Sequence, residues 1–344
     1  MAITMKDIAQ RTGVSIGTVD RALNNRGRIN PEVASRIRKV AQEMGYKTNS
    51  VAKSLAIRNK KLKIAVVLHI QRNNNYYEEV EAGIREAEQD IFDFGIQLTI
   101  YRGIGFDPQD QLRQLELAVS NGANAIVLVP IDSPLIRDKV TQLQQAGIPV
   151  VFLTNFMENI PVFSSIRCNY RRSGQIAAGL LRVLAREPGD VLVFSTSFSM
   201  LGHRRRVEAL QAQLAISCPQ LTIRKVVELP EGELDCYQLV KDALAEYPCP
   251  YLVYNGNAKA GIRAIQEAPH PISSIFYDLS PSAREALSAG IIDAVIFQNP
   301  RQQGYRAVNI LFEYLTAGTI PVKPVELVEC NVLLRESIQE LSQP

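Results

Sequence analysis

From residue 62 onward, short and nearly unbroken apolar runs alternate with longer stretches in which apolar residues recur every three or four positions. The runs are "KIAVVLHI", "IQLTIYRG", "AIVLVPI", "PVVFLTN", "DVLVFSTS", "TIRKVVEL", "PYLVYNG", "SSIFYDL" and "DAVIFQN". Each is strand-sized, and continuous apolar character is what a strand buried on both faces requires. The intervening stretches, for example Tyr77–Phe92 and Asp107–Ser120, carry the helical period. Such alternation predicts an α/β domain with parallel, doubly wound sheets. Nine runs over about 280 residues fit two sheets, hence two lobes. The chain is expected to cross between lobes at 164–168 and to return near Gln298. The first lobe then holds about 62–163 and 299–324, and the second about 164–298 and 325–344.

The first 47 residues follow a different rule. Three short helical patterns are punctuated by caps. Thr4 caps the first, with Asp7 three residues on as a capping box, Ile8 and Ala9 inward, and Gly13 as the stop. Ser15 caps a second, which reaches Asn24 with Val19, Ala22 and Leu23 buried. Asn30, Pro31 and Glu32 start the third, whose stripe is Val33, Ile37, Val40, Ala41 and Met44 before Gly45. Two short helices joined by a glycine-containing turn and braced by a third make a small all-α helix-turn-helix domain. Residues 48–61 form a linker in which Asn49 can cap one more short helix through Val51, Ala52 and Leu55.

Charge changes the picture. Residues 1–63 carry 14 Lys/Arg against 4 Asp/Glu, and the remainder 24 against 31. A basic, strongly patterned N-terminal domain implies a polyanionic partner. With the apolar residues of the second helix turned inward, Ile16, Gly17, Asp20, Arg21 and Asn24 face out. In a helix-turn-helix this helix lies in the major groove of double-stranded DNA. Arg21 can fork onto guanine O6 and N7, Ile16 can meet a thymine methyl, and Gly17 allows close approach. Ser15, Thr18 and Asn24 suit phosphates; Thr4 and Asn49 complete the candidate DNA-binding set. Asp20 either accepts from a cytosine amine or holds Arg21, Arg26 or Arg28 in an ion pair, the ion pair being the preferred reading.

The stretch "MKDIAQRTGVSIGTVDRALN...VASRIRKVAQEMGYKTNSVAKSLA" resembles the LacI/GalR family of bacterial transcription regulators. Two positions depart from the family pattern: Asp20 stands where a small hydroxyl residue is usual, and Thr48 where a proline is usual. The resemblance implies a hinge that folds when a dimer sits on DNA, with Leu55 wedged into the minor groove and Lys53 and Arg58 on phosphates. It also implies that the α/β part is a two-lobed, periplasmic-binding-protein-like (type I) domain.

Open α/β sheets bind ligands beyond the carboxyl ends of their strands. Those ends offer Asn74, Tyr76 and Tyr77 after the first run, Pro130 and Asp132 after the third, and Thr154 and Asn155 after the fourth. In the second lobe they offer Asn255, Asp278 and Gln298. "GHRRRVEAL" sets Arg206 on the first turn of a helix, where the family resemblance implies a ligand-contacting arginine. Aromatic faces, amides, carboxylates and one guanidinium suit a hydroxyl-rich effector. One arginine against one or two aspartates predicts a near-neutral pocket, hence a neutral sugar, polyol or cyclitol. The alternatives are a phosphorylated sugar or purine corepressor, or a stand-alone sugar-binding protein.

Catalysis is not expected. There is no GxxxxGK[ST] or GxSxG, and "GIGFDP" lacks the third glycine of a dinucleotide fingerprint. His69, His203 and His270 are scattered without metal-ligand spacing, and none of the five cysteines stands in CxxC spacing. No cofactor or metal is therefore expected. No apolar run spans a bilayer and no signal-peptide pattern opens the chain, which predicts a cytoplasmic protein. A homodimer would meet two half-sites about 10 bp apart, hence a near-palindromic operator.

Overall fold

A computed structural model describes residues 3–23, 29–46, 54, 55, 57–70 and 75–339. The N-terminal unit consists of α1 (Met5–Thr12), α2 (Ile16–Leu23) and α3 (Pro31–Glu43). The caps sit where the sequence places them. Asp7 N–H donates to Thr4 Oγ1 at 3.4 Å while Thr4 N–H donates to Asp7 Oδ2 at 2.7 Å. Gly13 takes the left-handed φ of 70° that ends α1. Ser15 Oγ accepts from Thr18 N–H at 3.1 Å, and Asn30 Oδ1 from Glu32 N–H at 2.8 Å. Ile8, Val19, Ala22 and Ile37 are fully buried between the three helices. Two arginines of α3 tie the unit together, Arg36 donating to Thr12 O at 3.2 Å and Arg38 to Ala22 O at 3.1 Å.

Among the described residues the large domain has twelve strands: β1 (Lys63–Ile70), β2 (Gln97–Ile104), β3 (Ala125–Leu128), β4 (Val150–Leu153), β5 (Ser164–Cys168), β6 (Gly189–Ser195), β7 (Leu221–Glu228), β8 (Tyr251–Asn255), β9 (Ser273–Tyr277), β10 (Ala294–Phe297), β11 (Val325–Val328) and β12 (Asn331–Leu333). They form two six-stranded sheets, ordered β11-β5-β4-β3-β1-β2 and β12-β10-β9-β8-β6-β7. Every pairing is parallel except β10 with β12. In β1, Ile64, Val66 and Leu68 pack under one layer of helices, and Ala65 and Val67 under the other. Burial on both faces is why these runs are continuously apolar.

Two strands cross the expected lobe boundaries. β5, expected to open the second lobe, pairs with β4 in the first sheet, Leu153 facing Ile166. β11 also belongs to the first sheet, Val328 facing Cys168, so residues 325–328 are not part of the second lobe as expected. The chain therefore passes between lobes at three places: after Cys168, at Gln298–Asn299, and between Val328 and Asn331. Asn299 takes a left-handed φ of 52° at the second of these.

Three glycines let helices pack backbone to backbone. A Cβ on Gly83, in the helix Asn75–Ile91, would stand 1.9 Å from Arg301 O, and one on Gly304 would stand 2.1 Å from Val80 O. The helices Asn75–Ile91 and Pro300–Ala317 thus lie directly against each other although more than half the chain separates them. Gly174 does the same between the helices Tyr170–Leu184 and Leu201–Ser217. At the start of the domain, Ile57 is buried in the core of the first lobe, whereas Leu55 is 59% exposed. Among the described residues no helix is long and apolar enough to cross a membrane.

Candidate effector cleft and DNA-facing helix

The carboxyl ends of both sheets converge on a cleft between the lobes. Tyr76, Tyr77, Thr154, Asn255, Asp278 and Gln298 all line it. Tyr76 and Tyr77 open the helix Asn75–Ile91, their rings edge to face at 5.3 Å, and Tyr77 Oη is 3.0 Å from His69 Nε2. Thr154 and Asp278 follow β4 and β9 with left-handed φ values of 59° and 67°. For non-glycine residues this is an uncommon conformation, kept here where two strand ends turn into the cleft.

Beneath the lining lies a chain of buried polar groups. Gln298 Nε2 donates to both Asp278 oxygens, at 2.9 and 2.8 Å. Its Oε1 accepts from Arg206 Nη2 at 2.5 Å and from the Cys168 thiol at 2.9 Å. Arg206 also donates to Ser173 Oγ at 3.1 Å, and its guanidinium stacks 3.9 Å over the Tyr277 ring. Only 3% of Arg206 is exposed, and its Nη1 is buried without a hydrogen-bond partner. A buried N–H of a cation left unmade is costly, and a ligand oxygen would relieve it. Arg206 stands in the second turn of its helix rather than the first, and Gln298, not Arg206, forms the cleft wall there.

Asp132 and Asn155 are not brought to the lining. Asp132 Oδ1 accepts from Arg137 Nε at 2.9 Å and Oδ2 from Arg204 Nη2 at 3.1 Å, a bridge between lobes. Asn155 is fully buried, donating to Pro130 O at 2.7 Å and accepting from Gly202 N–H of the opposite lobe at 3.1 Å. Strand ends in a two-lobed domain also build the joint between lobes, and these two residues are used there. Asn74 lies outside the described residues.

Several lining residues escaped the sequence reading. Phe106 follows β2, Tyr170 and His203 come from helix starts, and Thr196 follows β6. Thr196 and Phe106 were open to the strand-end rule; Tyr170 follows β5, a strand that the apolar runs do not reveal, and His203 reaches the cleft through tertiary packing. Glu79 and Glu231 add two carboxylates at the rim. Burial lowers the His203 pKa to about 3, with the Arg206 charge adding to the effect, and burial lowers His69 to about 4. Both rings are neutral at pH 7.

Burial raises the Asp278 carboxyl to about 6, against the opposing pull of Arg206 and Gln298. Between roughly pH 4 and 6 the folded protein holds a proton there that the unfolded chain releases, so folding loses stability as pH rises through that window. Asp278→Asn is therefore expected to raise Tm at pH 8, by the equivalent of ~1–3 kcal/mol. The gain should shrink towards pH 4.5. Thermal melts of both proteins at the two pH values check this; a gain equal at both would exclude the carboxylate as its source.

On the N-terminal unit, Ser15, Ile16, Gly17 and Arg21 are exposed, with Ile16 at 50%. Thr4 is also exposed, while Thr18 and Asp20 are half-buried. Arg21 Nε donates to Gly17 O at 3.0 Å, folding the guanidinium back along its own helix. Burial and then the Asp20 carboxylate push the Tyr46 phenol pKa up. Asn24, Arg26, Arg28, Thr48, Asn49 and Lys53 lie outside the described residues.

A three-helix unit with an exposed, arginine-bearing second helix, followed by a two-lobed α/β domain with a polar cleft, defines a ligand-binding domain fused to a DNA-binding head. Residues 4–49 match the family of bacterial regulatory proteins of the lacI type, and residues 64–319 match the periplasmic binding protein domain. The chain belongs to the LacI family of DNA-binding transcription regulators. It is 22% identical over 341 residues to catabolite control protein A of Priestia megaterium, covering 95% of this chain and 97% of that one. It is 25% identical over 183 residues to the sucrose operon repressor of Streptococcus mutans, 53% of each chain. The myo-inositol binding protein of Caulobacter, solved with myo-inositol bound, superposes with a TM-score of 0.74 at 15% identity, over 82% of this chain and 96% of that one.

Proposed function

We propose that this chain is a cytoplasmic, homodimeric repressor whose hold on a near-palindromic operator is controlled by a neutral sugar, polyol or cyclitol. The observation that carries the effector class is the Arg206–Gln298–Asp278 chain behind a tyrosine-rich cleft. Each member presents a donor or acceptor at a fixed place, which suits vicinal hydroxyls, because every hydroxyl both donates and accepts. Among the described lining residues there are the carboxylates Glu79, Glu231 and Asp278 and no lysine or arginine. A phosphate placed there would meet like charge and no cation except Arg206, which disfavours a phosphorylated effector. The myo-inositol held by the Caulobacter protein is a ligand of the proposed kind in the same fold.

In this reading α2 enters the major groove, with Arg21 released from Gly17 O to a guanine edge and Ile16 against a thymine methyl. Leu55, exposed beside the anchored Ile57, is the minor-groove wedge of the dimer. An effector that binds the closed lobes differently in the operator-competent and incompetent states shifts the balance between them.

The test is selection of sites from random DNA by the full chain, followed by melts with neutral sugars, cyclitols, sugar phosphates and purines. A near-palindromic site is expected, with Leu55→Ala and Arg21→Ala each weakening it by at least tenfold and leaving effector-induced stabilisation unchanged. A ligand near 100 times its Kd adds roughly 2.7 kcal/mol. Stabilisation by phosphates or purines alone would overturn the effector class, and DNA binding without sequence preference would overturn the operator.

A further inference from the structure

The helix Leu201–Ser217 opens with "LGHRRR", which puts His203 three residues before Arg206. Residues at that spacing share one helix face, so the two side chains stand one above the other. His203 is half-buried and lines the cleft, whereas Arg206 lies behind the lining.

One nitrogen of the His203 ring is already committed. Nδ1 lies 3.1 Å from Ser197 O and 3.1 Å from Thr196 Oγ1. A carbonyl oxygen only accepts, so Nδ1 carries the proton. Ser197 O also accepts from Met200 N–H at 3.2 Å, which ties the turn after β6 to the helix start. Burial and then the Arg206 charge keep the ring neutral, and Nε2 is left with a bare lone pair. Among the described residues nothing hydrogen-bonds to that nitrogen. His69 is used differently, its Nε2 lying 3.0 Å from Tyr77 Oη.

We propose that His203 sets the specificity of the effector cleft by accepting a hydroxyl proton at Nε2. One face of the helix then offers an acceptor at His203 and a donor at Arg206 Nη1, the buried N–H without a partner. One hydroxyl of the effector donates to Nε2, and a neighbouring one accepts from Nη1. A keto, ether or carboxylate oxygen at the first position sets lone pair against lone pair, and so does a phosphate dianion. An analogue lacking that hydroxyl leaves a desolvated acceptor unmade and binds roughly ten- to hundredfold more weakly. The inference rests on the polyol reading of the cleft, whereas the tautomer of His203 does not.

The experiment begins with the full chain carrying ¹⁵N-histidine and no effector. Long-range ¹H–¹⁵N spectra at pH 7 are expected to show His203 with its proton on Nδ1 and none on Nε2. The signals are assigned by their loss in His203→Gln. A proton on Nε2 would overturn the proposal whatever the cleft binds. Neutral hexoses, pentoses and cyclitols, myo-inositol and D-allose among them, are then added one at a time. The polyol that raises Tm should also move the Nε2 resonance upfield, and its affinity is measured again on two variants. His203→Asn keeps an N–H where Nδ1 stands and has nothing at Nε2, so it should bind ten- to hundredfold more weakly. His203→Gln keeps an acceptor at the outer position without the Nδ1 proton, and should bind within a few-fold of wild type. The reverse order would make His203 only an anchor of the turn and overturn the proposal. A rise in Tm with Nε2 unmoved removes His203 and leaves the polyol reading standing. A rise in Tm with none of these polyols removes that reading, and this inference with it.

Discussion

Arg206→Ala is expected to abolish effector-induced stabilisation of this chain and to leave operator binding intact. The side chain is 3% exposed and holds Ser173 and Gln298. Without it, Gln298 loses a charged donor, Asp278 loses the cation that opposes its burial, and the Tyr277 ring loses its stacked partner. Hydrogen bonds to charged groups contribute about 1.5–3 kcal/mol each, so losing two such contacts around the ligand amounts to a hundredfold or more in effector affinity. Arg206→Lys keeps the charge but not the fork that reaches Ser173 and Gln298 together, and should recover little. The measurement is titration of the stabilising polyol against wild type and both variants by melting, alongside operator anisotropy. Wild-type stabilisation in Arg206→Ala would remove the buried chain from the effector site.

Gly174→Ala carries the second large effect. A Cβ at Gly174 would stand 2.2 Å from the carbonyl oxygen of Arg206 and 2.9 Å from Leu210 N. Neither atom is the end of a flexible side chain, so the helix Leu201–Ser217 must move, and Arg206 moves with it. Overpacking of this kind costs typically 1–3 kcal/mol and more where backbone is struck, so we expect about 3 kcal/mol or more. At the size of this domain that is a fall in Tm of roughly 6–12 °C, with weakened effector binding in addition. Gly179→Ala is the control. It lies in the same helix with nothing within 4 Å of its Cβ, and alanine there should be neutral or raise Tm slightly. Equal melts for the two variants would mean that the helices are not in backbone contact at Gly174.

How far the sequence could be read depended on the kind of burial. Strands such as "KIAVVLHI" announce themselves because both faces are covered by helices, and β1 occupies that run from end to end. β5 does not, because Ser164 and Ser165 are buried polar residues and the stretch "SSIRC" reads as a loop. β11 and β12 are short edge strands with half-exposed side chains, which leave no apolar run to detect. The caps of α1, α2 and α3 were legible because a cap is a local contract between residues two or three apart. The cleft was half legible. Tyr76, Tyr77, Thr154, Asn255, Asp278 and Gln298 follow from strand ends, whereas Tyr170 follows β5, which carries no apolar run, and His203 enters from a helix start that only packing aims at the cleft. The roles of Asp132 and Asn155 at the joint depend on Arg204 and Gly202 of the opposite lobe, and no local pattern pairs them.

The late return of the chain to the first lobe sets the order in which the protein can fold as it is synthesised. That lobe begins with β1, yet its helix layer is missing Pro300–Ala317 and its sheet is missing β11 until nearly the whole chain has left the ribosome. At roughly 5–20 residues per second the wait lasts on the order of tens of seconds. Through that interval the face that Gly304 will cover, with Val80 and Ile84, stays open to water or to chaperones. The bulk of the second lobe, contiguous except for β12 and the short helix Arg335–Gln339, can assemble in the meantime. The lobe that is begun first thus waits for the last fifth of the chain, and a nascent chain released early lacks the closing helix of the lobe into which Ile57 is anchored.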